Sequence, residues 1–218
     1  MTVDYQGRTH RVVLDEWALA GAVSKIYSVT ADRKAELGLA TAAAAARRGE
    51  LAPIREIVRA HLIEQAKVTD AGPRAVSIPQ SWATTCHDYP RSFDFADSFA
   101  ARRRDYDKHI ARLDPEDFAP FSPAAWVTRD SFDTGACLQW PADATARPPF
   151  GPHAQLPDVP VLVLSGDLDA NTPTPAGRAA AAQFPHAKVI EVPDAGHTPA
   201  QTPAGAELTR DFIVKAGR

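Results

Sequence analysis

No run of about 18 or more apolar residues occurs in the 218-residue chain, so it contains no candidate transmembrane helix. Residues Met1–Arg11 lack the apolar centre of an export signal, because Asp4, Gln6, Arg8 and His10 interrupt them. Charge of one sign is scarce: 24 Lys and Arg against 27 Asp and Glu leave a net charge of −3. The basic triplet Arg102-Arg103-Arg104 is followed at once by Asp105 and Asp107, which reads as a solvated helix face and gives no nucleic-acid surface. The seven histidines are scattered and none falls in a ligand spacing such as His-x-x-x-His, so neither a metal nor another cofactor is expected. There are two cysteines, Cys86 and Cys137. Their residue types leave one disulfide and two buried thiols equally open. The absence with most consequence is the Gly-x-Ser-x-Gly motif, which occurs nowhere. That excludes a nucleophile elbow, the strained strand-to-helix turn on which such a motif presents its serine.

Proline is plentiful, with 19 residues, most of them crowded into 115–160 and again into 173–203. Phe118, Phe121, Trp126, Phe132, Trp140 and Phe150 are interleaved with the first group. Disordered segments are poor in such residues, so long ordered connections are expected.

The first half has helical periodicity. Asp15 is placed to cap a helix over 16–27. A second helix is predicted over 33–48, with Gly49 as its stop, and a third from Pro53, with Ile54, Ile57, Val58, His61 and Leu62 on one stripe. His61 reads as a residue at the edge of a core. Residues 74–82 read as extended and 94–113 as a helix burying Phe95, Phe99, Tyr106, Ile110 and Leu113.

At Val159 the pattern changes. Val-Pro-Val-Leu-Val-Leu is a continuous apolar run closed by Ser165-Gly166, as in a strand covered on both faces. Thr174-Pro175 opens a helix to about Phe184, 187–192 is a second apolar strand, and Thr202-Pro203 opens a last helix burying Leu208, Phe212 and Ile213. This is a β-α-β-α unit with parallel strands. Its two loops, 166–173 and 194–199, leave the carboxyl ends of the strands, where open α/β sheets bind ligands. One carries Asp167 and Asp169 and the other His197. Taken alone, each aspartate reads better as a turn residue bonding its own backbone. On neighbouring strands, however, Asp169 is placed to accept the imidazole Nδ1–H of His197, as the acid of a Ser-His-Asp triad does. Ser165 precedes the acid and lies in the wrong loop for the nucleophile, so it reads as a turn residue.

The segment Val-Pro-Val-Leu-Val-Leu-Ser-Gly-Asp-Leu-Asp-x-x-Thr-Pro, followed by Ala-Gly-His-Thr-Pro, resembles the last two core strands of α/β-hydrolases. More narrowly, it resembles the C-terminal domain of the tripeptidyl-aminopeptidase-like serine peptidases, relatives of proline iminopeptidase. The segments Cys-His-Asp-Tyr-Pro at 86–90 and Cys-Leu-Gln-Trp-Pro at 137–141 look like that family's cap and linker. The resemblance implies an α/β fold: the C-terminal part of an α/β-hydrolase at 153–218, preceded at 1–152 by a mainly helical cap and a Pro-rich connector. It implies Asp169 as catalytic acid and His197 as catalytic base. It also implies a Cys86–Cys137 disulfide, and hence an exported protein.

The function implied is that of an exopeptidase-type serine hydrolase acting on a peptide or on a small ester or amide. Acid and histidine loops look alike across the superfamily, so an esterase or lipase, a hydrolase with an aspartate nucleophile, and a non-catalytic remnant stay open. The serine and the oxyanion hole are absent from these residues. The expectation is that an N-terminal half of the hydrolase supplies them and that the 218 residues alone are inactive.

Overall fold

The computed structural model describes residues 1–28, 33–129, 134–142 and 156–216. The chain forms two compact units, one of 1–22 and 55–149, the other of 23–54 and 150–218. The boundary expected between residues 152 and 153 lies outside the described residues.

The first unit begins with a hairpin that the helical reading of the N-terminal region missed. Strands β1 (Thr2–Tyr5) and β2 (Arg8–Arg11) pair antiparallel, with Tyr5 opposite Arg8. The two-residue connection has φ 48° at Gln6 and 74° at Gly7. Positive φ at both positions suits the right-handed twist of a hairpin, and Gly at the second is its usual signal. Helix α1 (Glu16–Ser28) then starts under the expected cap, with the Ala18 N–H donating to Asp15 Oδ1 at 2.9 Å. Helix α3 (Ala52–Asp70), which lies mostly in this unit, ends at Gly72, whose φ is 73°.

Two expectations for this unit need correction. Residues 78–88, read partly as extended, form helix α4 (Ile78–Asp88), because Ser77 accepts from the Gln80 N–H and a proline sits in the first turn. The helix expected over 94–113 is shorter, α5 (Phe99–Ile110), because Ser98 caps it. Phe99 is consequently exposed, whereas Tyr106 is buried. The arginine triplet divides as well. Arg103 and Arg104 face water, but Arg102 shares a face with Tyr106 and turns inward. Its guanidinium donates to the carbonyls of Leu138 (3.0 Å), Trp140 (2.8 Å), Asp97 (2.9 Å) and Phe95. A planar donor with five N–H groups suits this task. Those carbonyls surround a core of Cys86, Phe93, Tyr106, Cys137 and Leu138, with Trp82, Phe95, Ile110 and Trp140 packed against it. Cys86 and Cys137 are joined in a disulfide. Helix α6 (Pro123–Val127) is held at its start by Ser122, which donates through its hydroxyl to Glu16 Oε2 at 3.0 Å.

The second unit holds the α/β part. Strands β3 (Val161–Gly166) and β4 (Ala187–Val192) run parallel in register from Val161 opposite Ala187 to Gly166 opposite Val192. Helix α7 (Thr174–Ala181) connects them, and α8 (Pro203–Ala216) follows. Thr174, expected as a cap, is the first helical residue instead, and its hydroxyl donates to Glu191 at 2.6 Å. Thr202 does cap α8, accepting from the Gly205 N–H at 3.0 Å. Ile213, expected in the core, is 63% exposed. Helix α2 (Arg33–Arg47) belongs to this unit too and stops before Gly49, whose φ is 86°. Among the described residues no helix is long and apolar enough to cross a membrane.

Candidate active site

The parallel register sets the site. Because β3 and β4 end level, at Gly166 and Val192, the loops that follow them emerge side by side. Backbone bonds then join the acid loop to the end of β4, Asp167 N–H to Val192 O (3.2 Å), and to the histidine loop, Leu168 N–H to Ala195 O (3.0 Å). Asp167 adds a third through its side chain, Oδ1 accepting from the Ala195 N–H at 3.1 Å. The aspartate that read as a plain turn residue therefore fastens the histidine loop to the acid loop. The close approach leaves no room at Gly166, where a Cβ would sit 2.1 Å from the carbonyl oxygen of Ala195. Further contacts hold each loop from outside. Ala170 N–H donates to Tyr27 O at 3.0 Å, and Asp194, with φ 56°, accepts from the first N–H of α2, that of Arg33, at 2.8 Å.

In this frame the structure brings the two residues singled out for catalysis together. His197 Nδ1 lies 3.1 Å from Asp169 Oδ2. The carboxylate side chain is 3% exposed and the imidazole 34%. Asp169 is fully partnered. Oδ1 accepts from the N–H groups of Asn171 (2.8 Å) and Thr172 (3.1 Å), while Oδ2 accepts from the Thr172 hydroxyl (2.7 Å) and from His197. A carboxylate offers about four lone-pair positions, and here every one is used. Both readings of Asp169 therefore hold at once, since it closes an Asx turn with one oxygen and holds the histidine with the other.

Burial pushes the Asp169 carboxyl upward, but the hydrogen bonds from Thr172, His197 and the two backbone N–H groups outweigh it and hold the group below its ordinary value of 3.8. A carboxyl depressed on folding adds stability that is complete above its unfolded value, about 3.9, and fades as pH falls through the folded value. Asp169→Asn is therefore expected to cost about 1–3 kcal/mol at neutral pH through weakened hydrogen bonds. The gap from wild type should narrow progressively as pH falls below about 4, the ordinary carboxylate range. Urea midpoints measured across that range check this, and two parallel curves refute it.

Sequence reading missed Asn171 and Thr172. Both stand in the Asp-x-x-Thr-Pro stretch, and the available signal was the spacing, since an Asx turn brings residues two and three onward back to the carboxylate. The Asn171 side-chain amide reaches the other ring nitrogen of His197, Nε2, at 3.3 Å. Among the described residues no group of His, Cys, Asp and Glu could hold a metal ion.

A parallel strand pair whose carboxyl ends carry a buried aspartate bonded to a histidine is what the C-terminal portion of an α/β-hydrolase provides. The family model for TAP-like proteins matches residues 123–218, which takes in both strands and both loops. Over these residues the chain is similar to the TAP-like α/β-hydrolase family. Searches among curated proteins and among solved structures gave no match.

Proposed function

We propose that Asp169 and His197 are the acid and base of a serine-hydrolase triad. In this reading the complete enzyme is an exopeptidase of the tripeptidyl-aminopeptidase kind, acting on peptides or on small esters and amides. The observation that carries the reading is the 3.1 Å approach of His197 Nδ1 to a carboxylate that is itself buried and fully partnered. With Nδ1–H given to Asp169, Nε2 bears the lone pair and is free to act as base. A serine Oγ attacks the substrate carbonyl as its proton passes to Nε2, Asp169 stabilises the imidazolium, and the same proton then goes to the leaving amine. Water repeats the sequence on the acyl-enzyme.

The nucleophile belongs to polypeptide other than these 218 residues, because no serine here stands in a Gly-x-Ser-x-Gly elbow. Ser165 is buried within β3, four positions ahead of the acid. The same polypeptide supplies the oxyanion donors, which come from the residue after the nucleophile and from an early strand loop. The helical region ahead of Cys86 is proposed as the cap of the hydrolase, and the Cys86–Cys137 disulfide favours an oxidising, extracytoplasmic compartment.

The chain by itself is expected to take no label from a fluorophosphonate probe. Joined to, or mixed with, the elbow-bearing portion of a TAP-like protein, it should support labelling that His197→Ala abolishes. Stable labelling of the isolated chain at any serine, or labelling of the reconstituted enzyme that ignores His197→Ala, refutes the reading.

A further inference from the structure

With the imidazole neutral and the Asn171 amide oriented as it stands, the partners of His197 favour one arrangement of hydrogen atoms. The Thr172 hydroxyl has one proton, and at 2.7 Å from Asp169 Oδ2 that proton points to the carboxylate, which can only accept. The lone pairs of Thr172 Oγ1 are then left for His197 Nδ1, 3.1 Å away. Nδ1 therefore faces two acceptors, Asp169 Oδ2 and Thr172 Oγ1, and neither has a proton to offer it. At the opposite side of the ring, the Asn171 side-chain nitrogen, a donor only, lies 3.3 Å from Nε2. Every partner thus demands the same tautomer, with the proton on Nδ1 and the lone pair on Nε2.

Resting on the acid–base reading above, we propose that Thr172 is a positioning residue of the triad. Its hydroxyl shares the Nδ1–H with Asp169 and so fixes both the tautomer and the ring plane of His197, while Asn171 holds Nε2 until the nucleophile takes its place. The bond from Thr172 to the carboxylate has a second effect. It occupies a lone pair of Asp169 that a proton would need, so the acid stays ionised beneath the loop, in keeping with its lowered pKa. Thr172 is able to do both because the Asx turn at Asp169 folds the chain back: the same residue gives its backbone N–H to Oδ1 and its hydroxyl to Oδ2.

The test reads the tautomer directly. The whole chain, labelled with nitrogen-15 at histidine, gives ring-nitrogen shifts that distinguish Nδ1–H from Nε2–H, and His197 is assigned from its loss in His197→Gln. Wild type is expected to hold Nδ1–H. Thr172→Val, which keeps shape and backbone but removes the hydroxyl, should move the tautomer ratio roughly fivefold toward Nε2–H, the equivalent of one neutral hydrogen bond. Thr172→Ser should restore the wild-type ratio, which a purely structural role for the side chain does not predict. If Thr172→Val loses a dispersed spectrum, Thr172→Ala replaces it. A ratio unchanged on removal of the hydroxyl overturns the role of Thr172. Asp169→Asn separates this from the underlying reading: a ratio that it leaves unmoved overturns the acid–base pair itself, whereas a ratio moved by Asp169→Asn and not by Thr172→Val overturns the positioning role alone.

Discussion

Replacing Cys86 and Cys137 together by alanine is expected to lower the stability of the first unit by about 4 kcal/mol, the chain-entropy value for the loop concerned. The bridge spans 51 positions, so cutting it returns a long loop to the unfolded ensemble. The native side loses too, because both cysteines are 1% exposed at the centre of their cluster, and alanine leaves their sulfur volume empty. Fluorescence reads the effect selectively. Trp17, Trp82, Trp126 and Trp140 all lie within 1–22 and 55–149, and Trp82 and Trp140 pack against the bridge itself. The urea midpoint followed by fluorescence should therefore fall steeply in the double variant, and equally in wild type under a thiol reductant. The tautomer of His197, in the other unit, should not change. A midpoint shift worth less than about 1 kcal/mol, well below the usual range for a native bridge, contradicts a substantial stabilising role for this disulfide.

The contrast between the two units shows what the sequence made legible. Where one physical demand dominated, the reading was direct. The apolar run from Val159 and the strand 187–192 are the parallel pair β3–β4, although the cover expected on both faces is incomplete: Val161 to Leu164 are only partly buried, and β4 leaves Lys188 and Glu191 exposed. Asp15, Gly49 and Thr202-Pro203 punctuate helices because capping is local chemistry. Where tertiary contacts decide, pattern was insufficient. Arg102 is indistinguishable in composition from Arg103, and only the carbonyls of Phe95, Asp97, Leu138 and Trp140 converging on it draw it inward. The hairpin at 2–11 went unseen because its strands are polar: β2 is exposed throughout, and only Val3 of β1 is buried. At the candidate site, Asp169 and His197 were legible because strand order places their loops together. Thr172 and Asn171 were not, because their importance lies in proton directions around the imidazole. Ile213 misled because its helical spacing implies a covering surface that the described residues do not supply at that position.

Gly166→Ala is expected to have a large effect on the acid–histidine contact. The new Cβ falls 2.1 Å from the carbonyl oxygen of Ala195 and 2.3 Å from that of Gly196. Non-bonded carbon and oxygen need more than 3 Å, so about 1 Å of movement is demanded, and the obstacles are backbone atoms that cannot rotate aside. Nor can the histidine loop withdraw freely, since two hydrogen bonds tie it to the acid loop and Asp194 ties it to α2. Overpacking of this kind costs roughly 1–3 kcal/mol and often more where relief is blocked. Whatever movement does occur carries His197 with it, because Gly196 is its immediate neighbour. The expected result is a protein destabilised by about 3 kcal/mol whose His197 has lost the Nδ1–H preference imposed by Asp169. Gly177→Ala is the control: its Cβ meets the Ser165 hydroxyl at 2.4 Å and a Val163 methyl at 3.3 Å, which are side chains. It should destabilise through the packing of α7 on β3 while leaving the His197 signal where it was. If Gly166→Ala preserves both the midpoint and the tautomer, the two loops do not meet as described, and the proposed triad loses the scaffold that aligns it.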